Sequence, residues 1–264
     1  MNSDRSTWDV GRVVDELLAA EADRRDRRPI TDEFPELDLA TAYIAQDQLI
    51  ERKLAAGEKM IGAKLGLTSE AKQKRMGVDA PLTAWLTDAM PIEAGEPAVM
   101  NELIHPRVEP EIVFVLGEDL AGPGITAEQA LAAVDKVYGG YEIIDSRYKD
   151  FKFTLPDVVA DNASSARFGV GSVAFGPHDL DLAAEEAVVE VDGKEVDRAT
   201  GAAVQGHPAE ALALAANDLG RRGKSLKAGW IVLTGGMTDA VFLHRGSTVT
   251  VRFSNLGSVS IKGV

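Results

Sequence analysis

The sequence contains no cysteine among its 264 residues, which excludes disulfide bonds, thiolate nucleophiles and thiolate metal sites. It also has no apolar run that approaches the roughly 20 residues of a membrane-spanning helix. The first residues, MNSDR, lack the basic-then-apolar layout of a secretory signal peptide. These absences predict a soluble protein of a reducing compartment without a membrane segment, and we expect the cytoplasm.

Positive charge is scarce as well. The chain carries 28 Lys and Arg residues against 42 Asp and Glu residues, a formal net charge of −14. A surface of that sign repels phosphate backbones, so we expect no nucleic-acid partner. A small anionic substrate remains compatible with this charge, because a pocket can hold a local cation.

Helical patterns dominate the N-terminal part of the chain. Ser6 or Thr7 is placed to cap a first helix, whose apolar residues recur near a 3.6-residue period. Asp38 is a favourable N-cap for a second helix, and Gly57 is placed to end it. We therefore predict a mainly helical segment over residues 1–75.

Strand patterns dominate the remainder, residues 76–264, which we predict to be a larger, β-rich domain. Two helices interrupt it: one follows Thr126 and includes Val134, and the other begins at Pro208. Short apolar runs bounded by turn residues predict strands at 112–116, 187–191, 194–196, 230–234, 248–253 and 258–261. The predicted fold class is α+β.

One short segment matches a cofactor-binding motif in its glycine spacing alone. Residues 169–174 (GVGSVA) match the glycine pattern of a dinucleotide-binding loop, but that loop must lead directly into a helix. Gly176 and Pro177 interrupt the chain here, so we interpret the match as chance. The histidines are scattered, and we expect structural or surface roles for them: His105, His178, His207 and His244. Any catalysis must therefore use carboxylates, lysine and the backbone.

The acidic residues around position 110 are more informative. Glu109 and Glu111 lie two residues apart, so on a strand they point to the same face, about 6.6 Å apart. At that distance they repel by about 2.5 kcal/mol at an effective dielectric near 20. On an exposed face the pair has no significance, whereas on a buried face it needs a cation. Glu142 begins another apolar run, and three converging glutamates would form an all-oxygen site suited to Mg²⁺ or Mn²⁺.

Lys64 stands between two glycines in an apolar segment, unlike an ordinary exposed helix lysine. Its side chain either extends from a strand edge to solvent or reaches into a pocket.

At these residues the chain resembles the 2-oxopent-4-enoate hydratase/4-oxalocrotonate decarboxylase family of the fumarylacetoacetate hydrolase superfamily. The resemblance covers nearly the whole chain, from about residue 10 onward, and its specificity comes from several motifs in matching order. These motifs are 62–69 (GAKLGLTS), 77–79 (GVD), 106–111 (PRVEPE), 142–147 (EIIDSR) and 160–165 (ADNASS).

The resemblance implies a mixed β-sandwich roll with a smaller N-terminal helical segment. It implies Mg²⁺ or Mn²⁺ held by Glu109, Glu111 and Glu142, with Lys64 over the bound substrate and the Ser164–Ser165 turn shaping the pocket. It also implies a homo-oligomer that degrades aromatic compounds by meta-cleavage, and a complex with the pathway hydratase.

Two activities share this scaffold, and details of the sequence favour the decarboxylase. Related hydratases carry a carboxylate a few residues after GVD, where this chain has Leu82. The decarboxylase substrate, 2-oxohex-3-enedioate, has a second carboxylate, for which Arg147, Lys149 and Arg167 are candidate partners; the alternative is that they form surface salt bridges. Thr238, in the decarboxylase-like segment 235–240 (GGMTDA), is a further candidate substrate contact.

The predicted reaction is therefore decarboxylation of this 2-oxo dicarboxylic acid to 2-hydroxypenta-2,4-dienoate and CO₂. The alternative is a hydratase that adds water to 2-hydroxypentadienoate. Hydrolysis of an acylpyruvate is less favoured, because it needs a His–Glu pair and only His105 is close to the acidic motif. A catalytically silent partner of a hydratase is disfavoured because Lys64 and all three glutamates are present.

Overall fold

The computed structural model describes residues 8–69, 73–74 and 81–264. Over these residues the α-helices are α1 (Val10–Asp23), α2 (Leu39–Ala55), α3 (Ala127–Ala132), α4 (Leu155–Ala160) and α5 (Pro208–Arg221). The strands are β1 (Met60–Gly66), β2 (Leu82–Thr87), β3 (Arg107–Leu116), β4 (Val134–Ile144), β5 (Ser165–Phe175), β6 (Glu186–Val191), β7 (Lys194–Thr200), β8 (Ile231–Leu233), β9 (Val241–Phe242), β10 (Thr248–Phe253) and β11 (Ser258–Lys262).

Two sheets organise these strands. The larger has the order β2-β1-β8-β3-β4-β5, with β9 paired to β3, and the smaller has the order β11-β10-β6-β7. Strands β10 and β11 pack against β4 and β5, so the two sheets share one hydrophobic core. Most neighbours are antiparallel, but β1 and β8 run parallel. The predicted α+β class and mixed sheet architecture are confirmed.

The helix boundaries follow the capping residues, with two corrections. Helix α1 is capped by Asp9, whose side chain accepts a 2.8 Å hydrogen bond from the Arg12 backbone N–H. The predicted cap at Ser6 or Thr7 is therefore wrong, and those two residues lie outside the described ones. Thr126 caps α3 as predicted, but Val134 begins β4 instead of continuing the helix.

Helix α2 is joined to the large sheet by a buried amide. The Gln46 Nε2 group donates to the Thr83 carbonyl of β2 at 3.1 Å and to the Val159 carbonyl of α4 at 3.0 Å. Strand β1 belongs to the same sheet, although it precedes the predicted boundary between residues 75 and 76. That boundary stays a prediction.

Other features agree with the sequence analysis. Residues 169–174 lie inside β5, and turn residues follow them instead of a helix. His207 has a structural role, because its Nδ1 accepts a 3.0 Å hydrogen bond from Ala209 at the start of α5. In the described part of the chain, no helix is long and apolar enough to cross a membrane.

Candidate metal centre and active site

Three glutamates converge where β3 and β4 pair; we call them the acidic cluster. In the register of this pair Glu109 lies directly opposite Glu142, and Glu111 lies opposite Gly140. Each glutamate places a carboxylate oxygen within 4.8 Å of the other two. The convergence follows from the two-residue repeat of a strand. Glu142, expected at the start of its strand, lies near the end of β4 instead.

Neighbouring groups hold two of the three carboxylates in place. The Gly235 backbone N–H donates to Oε2 of Glu111 at 2.6 Å, and the Ser165 hydroxyl donates to Oε1 of Glu142 at 2.9 Å. A side chain at Gly236 would put a Cβ 2.7 Å from Cδ of Glu109, so it would displace the Glu109 carboxylate from its present position. The loop that follows β8 therefore forms one wall of the site.

Within the described part of the chain, the acidic cluster places two fully buried carboxylates and one partly buried carboxylate beside one lysine. Glu111 and Glu142 have no exposed surface. Burial raises the pKa of Glu111 well above its ordinary value, and the charges of Glu142 and Glu109 raise it further. Burial also raises the pKa of Glu142, which the positive charge of Lys64 partly offsets.

One carboxylate oxygen of the cluster is buried without a hydrogen bond from the described residues. This oxygen is Oε1 of Glu111. Buried acceptors without a partner are costly, and a cation satisfies them. The donors are all carboxylate oxygens, the ligands that hard divalent ions prefer, so the residues fit Mg²⁺ or Mn²⁺.

Lys64 lies beside the acidic cluster. It projects from β1, is only 2 % exposed, and places Nζ 3.0 Å from Oε2 of Glu142. This is an ion-pair contact within the site, so Lys64 does not reach out to solvent from a strand edge. A buried lysine needs such a partner, because an unpaired ammonium in the interior is strongly destabilised.

A pocket opens over the cluster. Apart from Lys64 and Glu109, its walls are mostly apolar side chains and glycines: Leu65, Gly66, Leu67, Leu82, Ile144, Phe151, Phe153, Val158, Ala163, Ser164 and Gly236. A pocket with few charged groups at one end and apolar walls elsewhere suits a small organic acid.

Several lining residues have a backbone conformation that side chains disfavour. Leu67, Phe151, Ala163 and Ser164 have φ angles of 56°, 54°, 52° and 59°. Each such residue costs about 1–3 kcal/mol and persists only where surrounding contacts impose it, often at functional sites. Asn162 provides such contacts: its amide both accepts from the Trp85 N–H and donates to the Trp85 carbonyl at 2.9 Å.

Three of the predicted substrate contacts lie at this pocket or directly behind it. Leu82 and Ser164 line it, and Ser165 reaches Glu142 through its hydroxyl. Thr238 is buried and hydrogen-bonds to the Asp239 carbonyl at 2.9 Å. It is not among the described residues that line the pocket. The GVD motif at 77–79 lies outside the described residues.

The basic residues predicted to contact the substrate are not among the described residues that line this pocket. Arg147 is buried, and its guanidinium forms an ion pair with Asp161 and a 2.8 Å hydrogen bond to the Asp145 carbonyl. We call Arg147 and Asp161 the turn ion pair, because Asp161 begins the turn that carries Ser164. Arg167 pairs with Glu102 at 3.3 Å.

Neither of these arginines is among the described residues that line the pocket, and Lys149 is exposed outside it. Their roles as substrate contacts have no support in this geometry.

Sequence reasoning missed several residues that shape the site. Asp161 and Asn162 stood inside a recognised motif without an assigned role, although an Asp-Asn pair between helix and strand patterns is typical of a turn. Phe151 and Phe153 lie in a decarboxylase-like segment, 147–157, but received no individual role, because an aromatic residue in a loop is as compatible with a surface as with a pocket.

Comparison with known proteins gives a consistent set of relatives. Residues 63–262 match the family described as fumarylacetoacetate (FAA) hydrolase, C-terminal. The chain is 42% identical over 262 residues to a 4-oxalocrotonate decarboxylase of Pseudomonas sp. strain CF600, covering 99% of both chains. It is also 39% identical over 248 residues to a 2-hydroxyhexa-2,4-dienoate hydratase of Comamonas testosteroni, covering 93% of this chain and 94% of the relative.

A solved structure resembles the whole fold. It is the 4-oxalocrotonate decarboxylase from Pseudomonas putida G7 complexed with magnesium and adipate, with a TM-score of 0.93 and 40% sequence identity. The superposition covers 98% of this chain and 99% of that one.

Proposed function

The chain belongs to the fumarylacetoacetate hydrolase C-terminal family, and from that premise we propose that it decarboxylates 2-oxohex-3-enedioate to 2-hydroxypenta-2,4-dienoate and CO₂. The observation that carries the proposal is the acidic cluster beside Lys64 at the end of a largely apolar pocket. Full-length similarity to decarboxylases, one of them complexed with magnesium and a diacid, supports it. The reaction belongs to the meta-cleavage degradation of aromatic compounds.

In this proposal Glu109, Glu111 and Glu142 would hold Mg²⁺ or Mn²⁺. The bound ion would supply Lewis acidity toward a 2-oxo acid. Ser165 and the Gly235 N–H fix the orientation of the Glu142 and Glu111 carboxylates by the hydrogen bonds described above.

The remaining residues act on the organic acid. The bond between C5 and the distal carboxyl carbon breaks and CO₂ leaves. The electron pair of that bond moves through the alkene to the keto oxygen, which takes up a proton from solvent and becomes the 2-hydroxy group. Lys64 adds positive charge near the place where this negative charge develops. Leu82 and Phe153 limit water in the pocket, which favours loss of CO₂ over hydration.

The direct test uses the intact protein after exhaustive treatment with EDTA. We expect no CO₂ release from 2-oxohex-3-enedioate until Mg²⁺ or Mn²⁺ is added, and 2-hydroxypenta-2,4-dienoate as the organic product. Full activity after chelation, or no CO₂ release with either metal, would refute the proposed function.

The alternative activity is a hydratase, which the similarity to the Comamonas testosteroni protein favours. Leu82 argues against it, because this pocket-lining position is only 3 % exposed and offers no group to activate water. Incubation with 2-hydroxypenta-2,4-dienoate distinguishes the two: a hydratase forms 4-hydroxy-2-oxopentanoate, whereas the decarboxylase leaves the dienoate unchanged.

The proposal includes a homo-oligomer, association with a pathway hydratase and a cytoplasmic location. The exposed valines Val173 and Val196 lie on β5 and β7, which end the two sheets, and exposed apolar edge strands support association. Sedimentation of the protein alone and mixed with the hydratase tests the first two points, and cell fractionation tests the third.

A further inference from the structure

The proposed substrate has a carboxylate at each end, and the pocket presents an obvious partner for only one of them. Among the described lining residues, Lys64 is the only cation, and it is already paired with Glu142. A carboxylate that enters an apolar pocket loses its hydration, so it needs a charged hydrogen-bond donor there.

Arg107 lies next to the pocket on the strand that carries the acidic cluster. Its side chain leaves β3 on the same face as Glu109, one strand repeat or about 6.6 Å along the strand. Directly opposite Arg107 on β4 is Ile144, which lines the pocket. Arg107 therefore borders the pocket at a distance from the cluster comparable to the reach of a short dicarboxylic acid.

Two aromatic rings hold the guanidinium of Arg107. Its Cζ lies 4.0 Å from the ring centroid of Phe151 and 4.3 Å from that of Phe242. Phe151 lines the pocket, so the stacked guanidinium is at the pocket wall. Stacking of this kind occupies the faces of the guanidinium and leaves the N–H groups in its plane available to a carboxylate.

The donors of Arg107 differ from those of the other candidate arginines. Its Nε is buried and has no hydrogen-bond partner among the described residues. By contrast, Arg147 is paired with Asp161, and Arg167 with Glu102. A buried donor without a partner, beside a pocket for an anion, indicates a group that is completed by the ligand.

We propose that Arg107, clamped between Phe151 and Phe242, binds the distal carboxylate and makes the site selective for dicarboxylic over monocarboxylic 2-oxo acids. This inference rests on the proposed function, whose substrate it specifies further. The guanidinium binds the carboxylate before CO₂ leaves, so it stabilises the bound substrate and not the transition state. Its loss should therefore raise KM more than it lowers kcat.

A matched pair of ligands tests the proposal by calorimetry on the Mg²⁺-loaded protein. 2-Oxoadipate and 2-oxohexanoate have the same length and differ only in the distal carboxylate, and neither has the alkene needed for decarboxylation. We expect the wild type to bind the diacid about 10–100-fold more tightly, the range for hydrogen bonds to a charged group. Arg107→Met should reduce this ratio to near one and leave 2-oxohexanoate binding within about twofold.

Three further variants make the test specific. Arg252→Met, on the exposed face of β10, should keep the wild-type ratio. Arg107→Lys keeps the charge but loses the planar fork, so it should keep only part of the wild-type ratio. It also serves as the folded variant if Arg107→Met has lost Mg²⁺ affinity. Arg167→Met should keep the full ratio, and a loss of selectivity there instead of at Arg107 would overturn the proposal.

A wild-type ratio near one, or an unchanged ratio in Arg107→Met and Arg107→Lys, would also overturn it. Neither result affects the proposed function, which depends separately on CO₂ release by the wild type. Absence of CO₂ release would refute the decarboxylase, whatever the ligand ratio.

Discussion

The turn ion pair and the acidic cluster both place charged side chains in the interior, but the partners available to each group differ. In the turn ion pair, Asp161 receives hydrogen bonds from the Arg147 side chain, the Arg147 backbone N–H and the Ser164 hydroxyl. Among the described residues, the three carboxylates of the acidic cluster meet one ammonium group, that of Lys64. Oε1 of Glu111 has no hydrogen-bond donor in this part of the chain.

The difference indicates that the turn ion pair has a structural role and that the acidic cluster has a functional one. A buried ion pair with complete hydrogen bonding fixes a local conformation, here the turn that carries Ser164 into the pocket wall. A buried cluster with excess charge is unfavourable by itself, and a protein keeps one where a ligand completes it. Removal of a charge should therefore have opposite effects on stability in the two groups.

The largest expected effect is at the acidic cluster. Glu111→Gln should lower metal-dependent kcat/KM by about 10³-fold or more, because it removes a ligand charge. In the metal-free protein the same change should raise the free energy of unfolding by about 1–3 kcal/mol, because repulsion among the carboxylates is relieved. Steady-state kinetics and urea unfolding in EDTA measure both. The exposed Glu118→Gln is the matched control, and a destabilised but fully active Glu111→Gln would contradict the comparison.

The turn ion pair should respond in the opposite direction. Asp161→Asn leaves the buried guanidinium of Arg147 without its counter-charge, so the free energy of unfolding should fall by about 3–5 kcal/mol. Urea unfolding checks this value, with the exposed Asp135→Asn as control. A change no larger than that of the control would mean that the pair does not stabilise the turn.

A variant of Lys64 tests whether the ammonium beside the acidic cluster contributes to catalysis. Lys64→Ala should lower turnover by about 10²–10³-fold, the usual effect of removing one positioned electrostatic stabiliser. The exposed Lys262→Ala should leave turnover unchanged. Single-turnover CO₂ release at saturating substrate measures the effect, and an unchanged rate in Lys64→Ala would remove Lys64 from the mechanism.

The smallest expected effect is a pH dependence of stability. Burial raises the pKa of Asp161 from an ordinary value of 3.8 to about 6, although Arg147 opposes the shift. Between these values the folded protein keeps a proton that the unfolded chain has lost. The free energy of unfolding therefore falls as pH rises from about 4 to about 6, by about 1–3 kcal/mol from this group. In Asp161→Asn this contribution should disappear, and parallel pH profiles for the two proteins would show that Asp161 does not titrate there.

Much of the site is predictable from local sequence, because the two-residue repeat of a strand decides which of its side chains share a face. Glu109 and Glu111 share a face by strand geometry alone, and the glycines on either side of Lys64 marked it as unusual. Which partner each charged side chain meets is a property of the folded chain. Arg147 reads as a substrate ligand until the structure places Asp161, fourteen residues later, against it.

For Arg107 the sequence provided too little information, whereas for Arg147 it suggested a role that the structure does not support. It lies inside a recognised motif, but its significance depends on two aromatic residues that are distant in sequence, Phe151 and Phe242. At the level of the fold, strands with strong alternation or apolar runs were predictable. Strands β2 and β9 were not predicted. Strands β1 and β5 were not predicted either, since their glycines weaken the strand signal and reflect close contacts across the sheet.

The parallel pairing of β1 with β8 has a consequence for how the protein is made. Lys64 and its sheet neighbour Leu233 lie 169 residues apart in the sequence, and the Gly235 N–H that holds Glu111 follows Leu233 by two residues. A nascent chain can display all three glutamates and still lack the groups that orient them. Tight metal capture should therefore begin only after residues 233–235 have been synthesised and β8 has paired with β1.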